Sequence, residues 1–383
     1  MLGIGLIVLA LLVLEAAATI LYAGVAESGG EFGVWSQTAD PTTGLPGIFG
    51  KEYAFISKPG VDVYIDKNKI NLFRLAFLLE RMCPPSTGLG AKFDETYYGH
   101  FADAVNYITV TKGAYCILDP HNYMRYNNPS QQPYSGSVIG NSSDPTAATT
   151  AQFGDFWNEL SHRFKDNEKV IFGLMNEPHS MDTNLIFANN QAAIDGIRKT
   201  GAKQLILAPG NAWSGARHWT EDWEGNSPSS SSVMYKLQDT LNNTAIDVHQ
   251  YFEEGGSNVC TISAPVVYAP LTAWLKKYKL KAMVTEWGAA NGTQCAGYVN
   301  DMLTYVARNS EYIGWAAWAA GPFWGSNSPC CSDGHSWGSL EPGSKASDGG
   351  ASLYDTVWLR VIQPLLPKKL QRTGLSSING LVS

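Results

Sequence analysis

The stretch from Val170 to His179 reads Val-Ile-Phe-Gly-Leu-Met-Asn-Glu-Pro-His, and it decides the fold that the rest of the chain must match. Residues 170–175 form a nearly unbroken apolar run, which is typical of a strand buried on both faces of a parallel sheet. Pro178 ends the run because proline cannot donate a hydrogen bond to a neighbouring strand. Glu177 is therefore expected at the carboxyl end of a buried strand, where a (β/α)8 barrel carries its chemistry. An isolated Glu-Pro is more often a loop residue that only caps or meets solvent, so a second signal is needed.

A second stretch has the same design. Ala282 to Gly288 reads Ala-Met-Val-Thr-Glu-Trp-Gly, an apolar run that ends in the carboxylate of Glu286. Two carboxylates at the tips of different parallel strands suit glycoside hydrolysis, which needs a proton donor and a nucleophile or base beside the bond that breaks. We therefore expect Glu177 and Glu286 to be a catalytic pair.

The composition narrows the class of protein. The 383 residues are 44% hydrophobic and 16% charged, enough apolar material for one large barrel or two ordinary domains. The formal charge of −7, with no run rich in Lys or Arg, argues against a nucleic-acid partner. The 12 Trp and 18 Tyr supply aromatic faces of the kind on which sugar rings stack.

The N-terminal segment predicts secretion. Residues 1–14 are almost wholly apolar and are followed by Ala16, Ala17 and Ala18, as in a signal peptide with its cleavage site. The segment lacks the usual early Lys or Arg, and it is short for a membrane span. We expect residues 1–18 to be removed, leaving a secreted protein without a membrane contact. A membrane anchor or a buried first strand is the alternative.

The cysteines agree with an oxidising compartment. There are six, and none has the spacing of a zinc site, so we expect no metal. Cys260 and Cys295 flank the strand that carries Glu286, and a disulfide between them would tie the neighbouring loops together. The pairing of the other cysteines stays open. Asn-X-Ser/Thr sequons, which are compatible with a secreted glycoprotein, occur at Asn141, Asn242 and Asn291.

Eight strand-like runs alternate with segments of helix length. The predicted strands are Ile20–Ala26, Asn71–Phe77, Ala114–Asp119, Val170–Met175, Gln204–Pro209, Ala245–His249, Ala282–Glu286 and Gly314–Ala319. The clearest amphipathic helices are Thr96–Thr111, Ala151–Phe164, Ile186–Thr200, Leu271–Lys279 and Ala296–Arg308.

Eight alternating β and α units predict a single-domain α/β protein, a (β/α)8 TIM barrel spanning residues 19–367. A doubly wound open sheet is the rival, but no Gly-X-Gly-X-X-Gly motif follows the first strand. Residues 368–383 are expected to form a short, frayed tail.

Polar residues at the strand tips are candidates for the site. Arg74 lies inside an apolar run, and a buried Arg needs acceptors, so we expect it to order the nucleophile, although a structural ion pair is the alternative. The other candidates, which are also open to purely structural roles, are His121, Asn122, Tyr123, His249, Tyr251 and Trp318. Trp315 is expected in the core.

Together these motifs resemble glycoside hydrolase family 5, most closely its secreted fungal endo-β-1,4-glucanases. The matching segments, in the family's order, are Phe73–Phe77, Asp119–Asn122, Gly173–His179, Asp247–Tyr251, Val284–Gly288 and Gly314–Trp318. The resemblance spans about residues 21–367. It implies a (β/α)8 barrel and a retaining double displacement without metal or cofactor.

The resemblance also implies roles for single residues. Glu177 would be the acid/base and Glu286 the nucleophile, with Asn176 bonded to the sugar 2-hydroxyl. Arg74 and Tyr251 would hold Glu286 ionised. The remaining implied contacts to the substrate come from His121, His249 and Trp318, with Glu31 at the mouth of the cleft.

Three functions stay open at this point. A β-1,4-endoglucanase acting as a monomer on β-glucan polysaccharide is favoured. A related hydrolase for mannan, xyloglucan or β-1,3-glucan is the second. A sugar-binding barrel without catalysis is the third, although both glutamates are present. Because no cellulose-binding module is visible, we expect soluble or amorphous glucan to be preferred over crystalline cellulose.

Overall fold

Eight parallel strands close into a barrel in the computed structural model, which describes residues 20–34, 44–127, 136–253, 259–289, 293–324, 339–345 and 349–380. The barrel strands, labelled β1 to β8, are Tyr22–Gly30, Leu72–Phe77, Tyr115–Pro120, Val170–Gly173, Ile206–Pro209, Thr244–Tyr251, Ala282–Gly288 and Tyr312–Ala320. β1 pairs in parallel with both β2 and β8, which closes the ring. The predicted (β/α)8 fold and all eight of its strands are confirmed.

Helices cover the outside of the barrel. In chain order, α1 to α8 are Lys58–Asp62, Leu79–Met82, Glu95–Asn106, Thr150–Phe164, Thr183–Lys199, Ser230–Val233, Ala264–Tyr278 and Thr293–Arg308. π-Helical turns occupy Val63–Lys67, Tyr107–Thr111 and Tyr354–Ile362, and 3-10 turns occupy Ala212–Ser214, Met234–Lys236 and Gln363–Leu365. A two-residue hairpin pairs Arg125–Tyr126 with Ser137–Val138. Each of the five predicted helices is present, and α7 begins seven residues earlier than predicted because Pro265 starts its first turn.

The barrel has two apolar layers. Inside the ring, Tyr22, Leu72, Tyr115, Ile171 and Met283 belong to one buried cluster. A larger cluster lies between the strands and the helices and includes Trp315, as predicted. Since alternate residues of a strand point to opposite faces, the strands need apolar residues at almost every position.

The C-terminal tail corrects one prediction, because residues 368–380 are not frayed but close the amino end of the barrel. Gln371 accepts a hydrogen bond from the Tyr22 hydroxyl at 3.2 Å. The Ser376 hydroxyl donates to the Val170 carbonyl at 2.6 Å and accepts from the Leu205 amide at 3.0 Å. Ile378 packs against the inner apolar cluster. We call this tail-sealed amino end the floor of the barrel.

The loops at the opposite, carboxyl end form the rim. The predicted disulfide between Cys260 and Cys295 is present, with Cα atoms 5.2 Å apart, and it ties the loop after β6 to the start of α8. Cys83 and Cys116 are buried free thiols. The proposed signal segment, Cys330, Cys331 and Asn291 lie outside the described residues.

No helix within the described ranges is both long enough and apolar enough to cross a bilayer.

Candidate active site

The two predicted catalytic glutamates meet at the rim. Glu177 follows β4 and Glu286 lies near the end of β7, and a carboxylate oxygen of one lies within 4.8 Å of a carboxylate oxygen of the other. Glu177 has a left-handed backbone with φ of 43°, a conformation that is costly for any residue other than glycine. Such strain is typical of a side chain whose direction is set by the site and not by the regular strand.

Glu286 is held as a carboxylate by two donors. Arg74 Nη1 donates to its Oε2 at 2.7 Å, and the Tyr251 hydroxyl donates to its Oε1 at 2.8 Å. Burial raises the pKa of Tyr251 well above its usual value, so the phenol keeps its proton and remains a donor. A guanidinium and a phenol that both point at one carboxylate stabilise its ionised form.

The surroundings of Glu177 have the opposite effect on its carboxyl group. Its Oε1 lies 2.9 Å from Nδ1 of His249. Burial raises the pKa of Glu177 well above its usual value, and the negative charge of Glu286 raises it further, while Arg74 opposes both. These surroundings favour the protonated form of Glu177, whereas the two donors described above favour the carboxylate form of Glu286.

Arg74 also organises the residues on its other side. Its Nη2 donates to Asn176 Oδ1 at 2.6 Å and lies 3.1 Å from Asp119 Oδ1. Asn176 Nδ2 in turn lies 3.1 Å from Nε2 of His121, and His121 Nδ1 lies 2.9 Å from Asp119 Oδ2. Asp119 was missed by the sequence reasoning, although its position at the end of an apolar run was the available signal.

A second chain of polar groups lies behind Glu177. His249 Nε2 is 3.1 Å from the Thr285 hydroxyl, and that hydroxyl donates to Asp247 Oδ1. Thr285 and Asp247 are both buried. The sequence reasoning missed these two residues as well. Asp247 lies inside β6 and not at its tip, and Thr285 is an uncharged residue beside the nucleophile.

An aromatic wall lies above the His121 side of the site. Trp318, at the end of β8, is partly exposed, and its ring stacks on the His121 ring with centroids 5.1 Å apart and planes 24° apart. The structure therefore brings together Glu177, Glu286, Arg74, His121, Asn176, His249, Tyr251 and Trp318.

A cleft of about 420 Å³ opens on the other side of Glu177, and Trp213 and Trp223 line it. Ala212, Trp213 and Ser214 have successive φ values of 53°, 57° and 55°, a left-handed turn that presents the Trp213 ring. This ring stacks on His179 with centroids 4.6 Å apart, and Trp223 stacks on His218 with centroids 4.1 Å apart. These tryptophans were not predicted, although Trp213 follows the tip of β5.

Two predicted residues have other surroundings. The Asn122 amide accepts from Leu79 N at 2.9 Å and donates to Glu80 at 2.8 Å, so its hydrogen bonds support the start of α2 and do not reach Glu177 or Glu286. Glu31 was expected at the cleft mouth, but it is only 3% exposed and accepts from Gly29 N at 2.9 Å. Its carboxylate bonds to its own turn and lies within electrostatic reach of His121 and Asp119, so it is buried beside the site.

Among the residues that the structure describes, two groups of side chains have the spacing of metal ligands. Glu177, His249 and Glu286 form one, but their atoms already meet each other, Arg74 and Tyr251 in hydrogen bonds. The other contains Cys260 and Cys295, whose sulfurs are joined to each other and are not thiolate ligands. The hydrogen bonds of the first group and the disulfide of the second therefore account for the close spacing of their atoms.

Comparisons with known proteins place this geometry in context. The sequence profile of the family described as Cellulase (glycosyl hydrolase family 5) matches residues 27–323. Endoglucanase 1 of Robillarda sp. is 62% identical over 375 residues, covering 97% of this chain and 96% of the relative.

More distant relatives carry related names. Probable endo-beta-1,4-glucanase B of Aspergillus oryzae is 35% identical over 79% of this chain and 82% of its own length. The solved structure of XacCel5A in complex with cellopentaose superimposes with a TM-score of 0.73 at 31% identity, covering 91% of this chain and 99% of that chain.

Proposed function

The chain belongs to glycosyl hydrolase family 5 and is an endoglucanase, and from this we propose that it cleaves β-1,4-glucan with Glu286 as nucleophile and Glu177 as acid/base. The observation that carries the proposal is the contrast between the two carboxyls. Glu286 receives donors from Arg74 and Tyr251, whereas burial and the charge of Glu286 raise the pKa of Glu177. Two carboxyls pushed toward opposite protonation states are the arrangement that acid and nucleophile roles require.

The separation of the carboxyls favours retention of configuration. Retaining enzymes place them about 5–5.5 Å apart, whereas inverting enzymes leave roughly 6.5–9.5 Å for a water molecule between them. An oxygen of Glu177 within 4.8 Å of an oxygen of Glu286 fits the shorter distance. At that spacing the two carboxyls leave no room for the water molecule that an inverting enzyme holds between them.

In the first half of the proposed reaction, an oxygen of Glu286 attacks the anomeric carbon while the glycosidic C–O bond breaks. The departing oxygen takes the proton of Glu177, so a neutral sugar hydroxyl leaves. Glu286 is then esterified and its negative charge is gone. This removes the main repulsion that kept Glu177 protonated, and the pKa of Glu177 falls.

In the second half, Glu177 acts as a base. It takes a proton from a water molecule whose oxygen attacks the same carbon, and the bond from that carbon to Glu286 breaks. Glu286 leaves as a carboxylate, which Arg74 and Tyr251 again stabilise. The product keeps the β configuration because two inversions have occurred.

The positions of the aromatic side chains support a polymeric substrate. Trp318 on one side of the glutamates and Trp213 on the other offer faces to successive sugar rings. Asn176 lies between Arg74 and His121, and a bond from it to the 2-hydroxyl of the sugar being cleaved is part of the proposal. The related solved structure of XacCel5A is a complex with cellopentaose, which supports a glucan chain as the ligand proposed for this cleft.

The experiment is hydrolysis of carboxymethyl cellulose, mannan and laminarin by the wild type and by Glu286→Gln. We expect activity on carboxymethyl cellulose, and a loss of several orders of magnitude in the variant, since the amide is a poor nucleophile. Activity on mannan or laminarin instead would change the proposed substrate but leave the proposed mechanism as it is. A variant with the wild-type rate would show that Glu286 is not the nucleophile, and no activity on any glycan would favour a binding protein.

We further propose that the protein is secreted and acts as a monomer. The apolar segment 1–14 and the disulfide between Cys260 and Cys295 support export to an oxidising compartment. Recovery of active enzyme from the culture medium with a new N-terminus near residue 19, and a single-chain mass in solution, are the expected results.

A further inference from the structure

Four side chains form a continuous hydrogen-bonded chain that begins at the acid and ends in the barrel interior. Glu177 meets Nδ1 of His249 at 2.9 Å, Nε2 of His249 meets the Thr285 hydroxyl at 3.1 Å, and that hydroxyl donates to Asp247. His249, Thr285 and Asp247 are all at least 97% buried, so protein groups must satisfy them. The reaction as described above uses only Glu177 from this chain.

The number of protons available on these four side chains fixes which group donates in each hydrogen bond. The Thr285 hydroxyl has one proton, and donating it to Asp247 leaves its oxygen only as an acceptor toward His249. Nε2 of His249 must then carry the proton that it donates to Thr285. Burial lowers the pKa of His249 well below its usual value, and Arg74 and His121 lower it further, so the ring is neutral and carries one proton.

We propose that Thr285 and Asp247 are positioning residues that keep the His249 proton on Nε2, so that Nδ1 accepts a hydrogen bond and Glu177 must be its donor. A carboxyl can donate only in its acid form. The hydroxyl beside the nucleophile therefore sets the protonation state of the acid/base through the tautomer of one histidine. This inference rests on the proposed role of Glu177 as the acid.

The charged groups around these four side chains determine the pH range in which the direction of their hydrogen bonds is fixed. Burial raises the pKa of Asp247 to about 7, against Arg74 and the Thr285 hydrogen bond, which lower it. Above that pH Asp247 is an ionised acceptor, so it keeps the Thr285 proton directed toward itself and enforces the direction of the hydrogen-bonded chain. The other charged or titratable groups that face Glu177 or His249 are Glu286, Arg74, Asp119, His121 and Tyr251.

Removing the Thr285 hydroxyl should therefore weaken the acid at high pH. In Thr285→Val the Nε2 proton has no hydroxyl acceptor, and the tautomer with the proton on Nδ1 can donate to an ionised Glu177 instead. We expect the alkaline limb of kcat/KM for cello-oligosaccharides to move to lower pH by about 1 unit, the effect of one hydrogen bond of ordinary strength. The acid limb should stay in place, and Thr285→Ser, which keeps the hydroxyl, should keep the wild-type profile.

An activated aryl cellobioside separates this inference from the role of Glu177. Its leaving group needs no proton, so the rate of enzyme glycosylation with this substrate should keep the wild-type alkaline limb in Thr285→Val. If Glu177→Ala cleaves cello-oligosaccharides normally, the acid assignment fails. If Glu177→Ala fails on them but Thr285→Val keeps the wild-type alkaline limb, the acid stands and the positioning role of Thr285 is overturned.

A measurement on the wild type makes the test independent of whether Thr285→Val folds. The ¹⁵N chemical shifts of a histidine ring distinguish the two neutral tautomers, and the His249 signals can be assigned by their loss in His249→Gln. We expect a protonated Nε2 and an unprotonated Nδ1 at pH 7.5–8. A proton on Nδ1 in the wild type would contradict the proposal directly.

Discussion

The two ends of the barrel are built from different chemistry. At the rim, buried charges face one another, with Arg74 bonded to Glu286 at 2.7 Å and close to Asp119 at 3.1 Å. At the floor, neutral groups meet, as in the bonds from Gln371 to the hydroxyls of Tyr22 and Tyr115 at 3.2 and 2.9 Å. Buried ions are costly unless each is paired, whereas neutral hydrogen bonds carry a smaller desolvation cost.

This difference separates activity from stability. Residues at the carboxyl end of a barrel serve the reaction, and residues at the amino end serve the fold. A substitution at the rim should then change the rate more than the melting temperature, and one at the floor should do the reverse. The first two predictions below test that separation, and the third sharpens it with a buried carboxyl on a barrel strand that has no catalytic role.

The largest effect is expected for Glu177→Ala at the rim. The value of kcat/KM on cello-oligosaccharides should fall about 10²–10⁴-fold, because general acid catalysis of the departure of a sugar hydroxyl is lost. Azide should restore turnover of an activated aryl cellobioside and give the β-glycosyl azide, since it attacks the glycosyl-enzyme without a base. Product analysis by NMR and a thermal scan of the same sample provide the measurement.

The exposed Glu221 supplies the matched control. Glu221→Ala should keep the wild-type rate and melting temperature. An α-glycosyl azide from Glu177→Ala would contradict the retaining mechanism, and a collapse of its melting temperature would contradict the separation between rim and floor.

The second effect is expected at the floor, in Ser376→Ala. Losing the bonds to Val170 and Leu205 should lower the free energy of unfolding by about 1–2 kcal/mol and the melting temperature by roughly 2–4 °C, with kcat/KM unchanged. Ser377→Ala is the control, because the Ser377 hydroxyl bonds only locally, to Asn379 N at 3.3 Å, among the contacts of the described tail. Equal losses of stability in the two variants would show that the tail hydroxyl does not seal the floor.

The smallest effect concerns a buried carboxyl on β1 that has no part in the proposed reaction. Glu27, near the end of β1, is fully buried, and burial raises its pKa well above its usual value, with Glu341 raising it further. Burial also raises the pKa of Glu341 to about 7. Both carboxyls are protonated more readily in the folded state than in the unfolded chain. Their contribution to stability is therefore fully present below about pH 4.5 and is lost as the pH rises, for Glu341 through about 7.

The wild type should accordingly melt at a lower temperature at pH 8 than at pH 4.5. In Glu27→Gln, which cannot ionise, that decrease should be smaller by about 2 °C, and Glu221→Gln should leave it unchanged. Differential scanning calorimetry at the two pH values measures it. A decrease in Glu27→Gln as large as in the wild type would show that the buried pair does not ionise over this range.

The sequence predicted those parts of the structure in which the type of residue and its position along an apolar run point to the same role. Strands such as β4 and β7 are apolar on both faces because helices cover one side and the barrel interior fills the other. Glu177 and Glu286 stand out because each interrupts such a run at its end. Arg74 stands out because it is a charged residue inside the apolar run of β2.

The floor and the supporting residues of the site give no such signal. The tail holds the barrel through the side chains of Gln371 and Ser376 and through backbone carbonyls and amides, which every residue has. Lys368 and Lys369 make this segment look like a solvated end. Thr285 matters through one hydroxyl proton, and threonine is common in strands. Trp213 takes its place through a left-handed turn that no periodic pattern records.

The sealed floor also determines how the enzyme can be mounted on a surface. Lys368 and Lys369 are exposed at the start of the tail, at the end of the molecule opposite Trp318 and the glutamates. A bead or electrode coupled through these amines would hold every molecule with its cleft turned outward, open to long polymers arriving from solution. The same attachment would place the anchor next to the bonds of Gln371 and Ser376, so the support would brace the segment that closes the barrel.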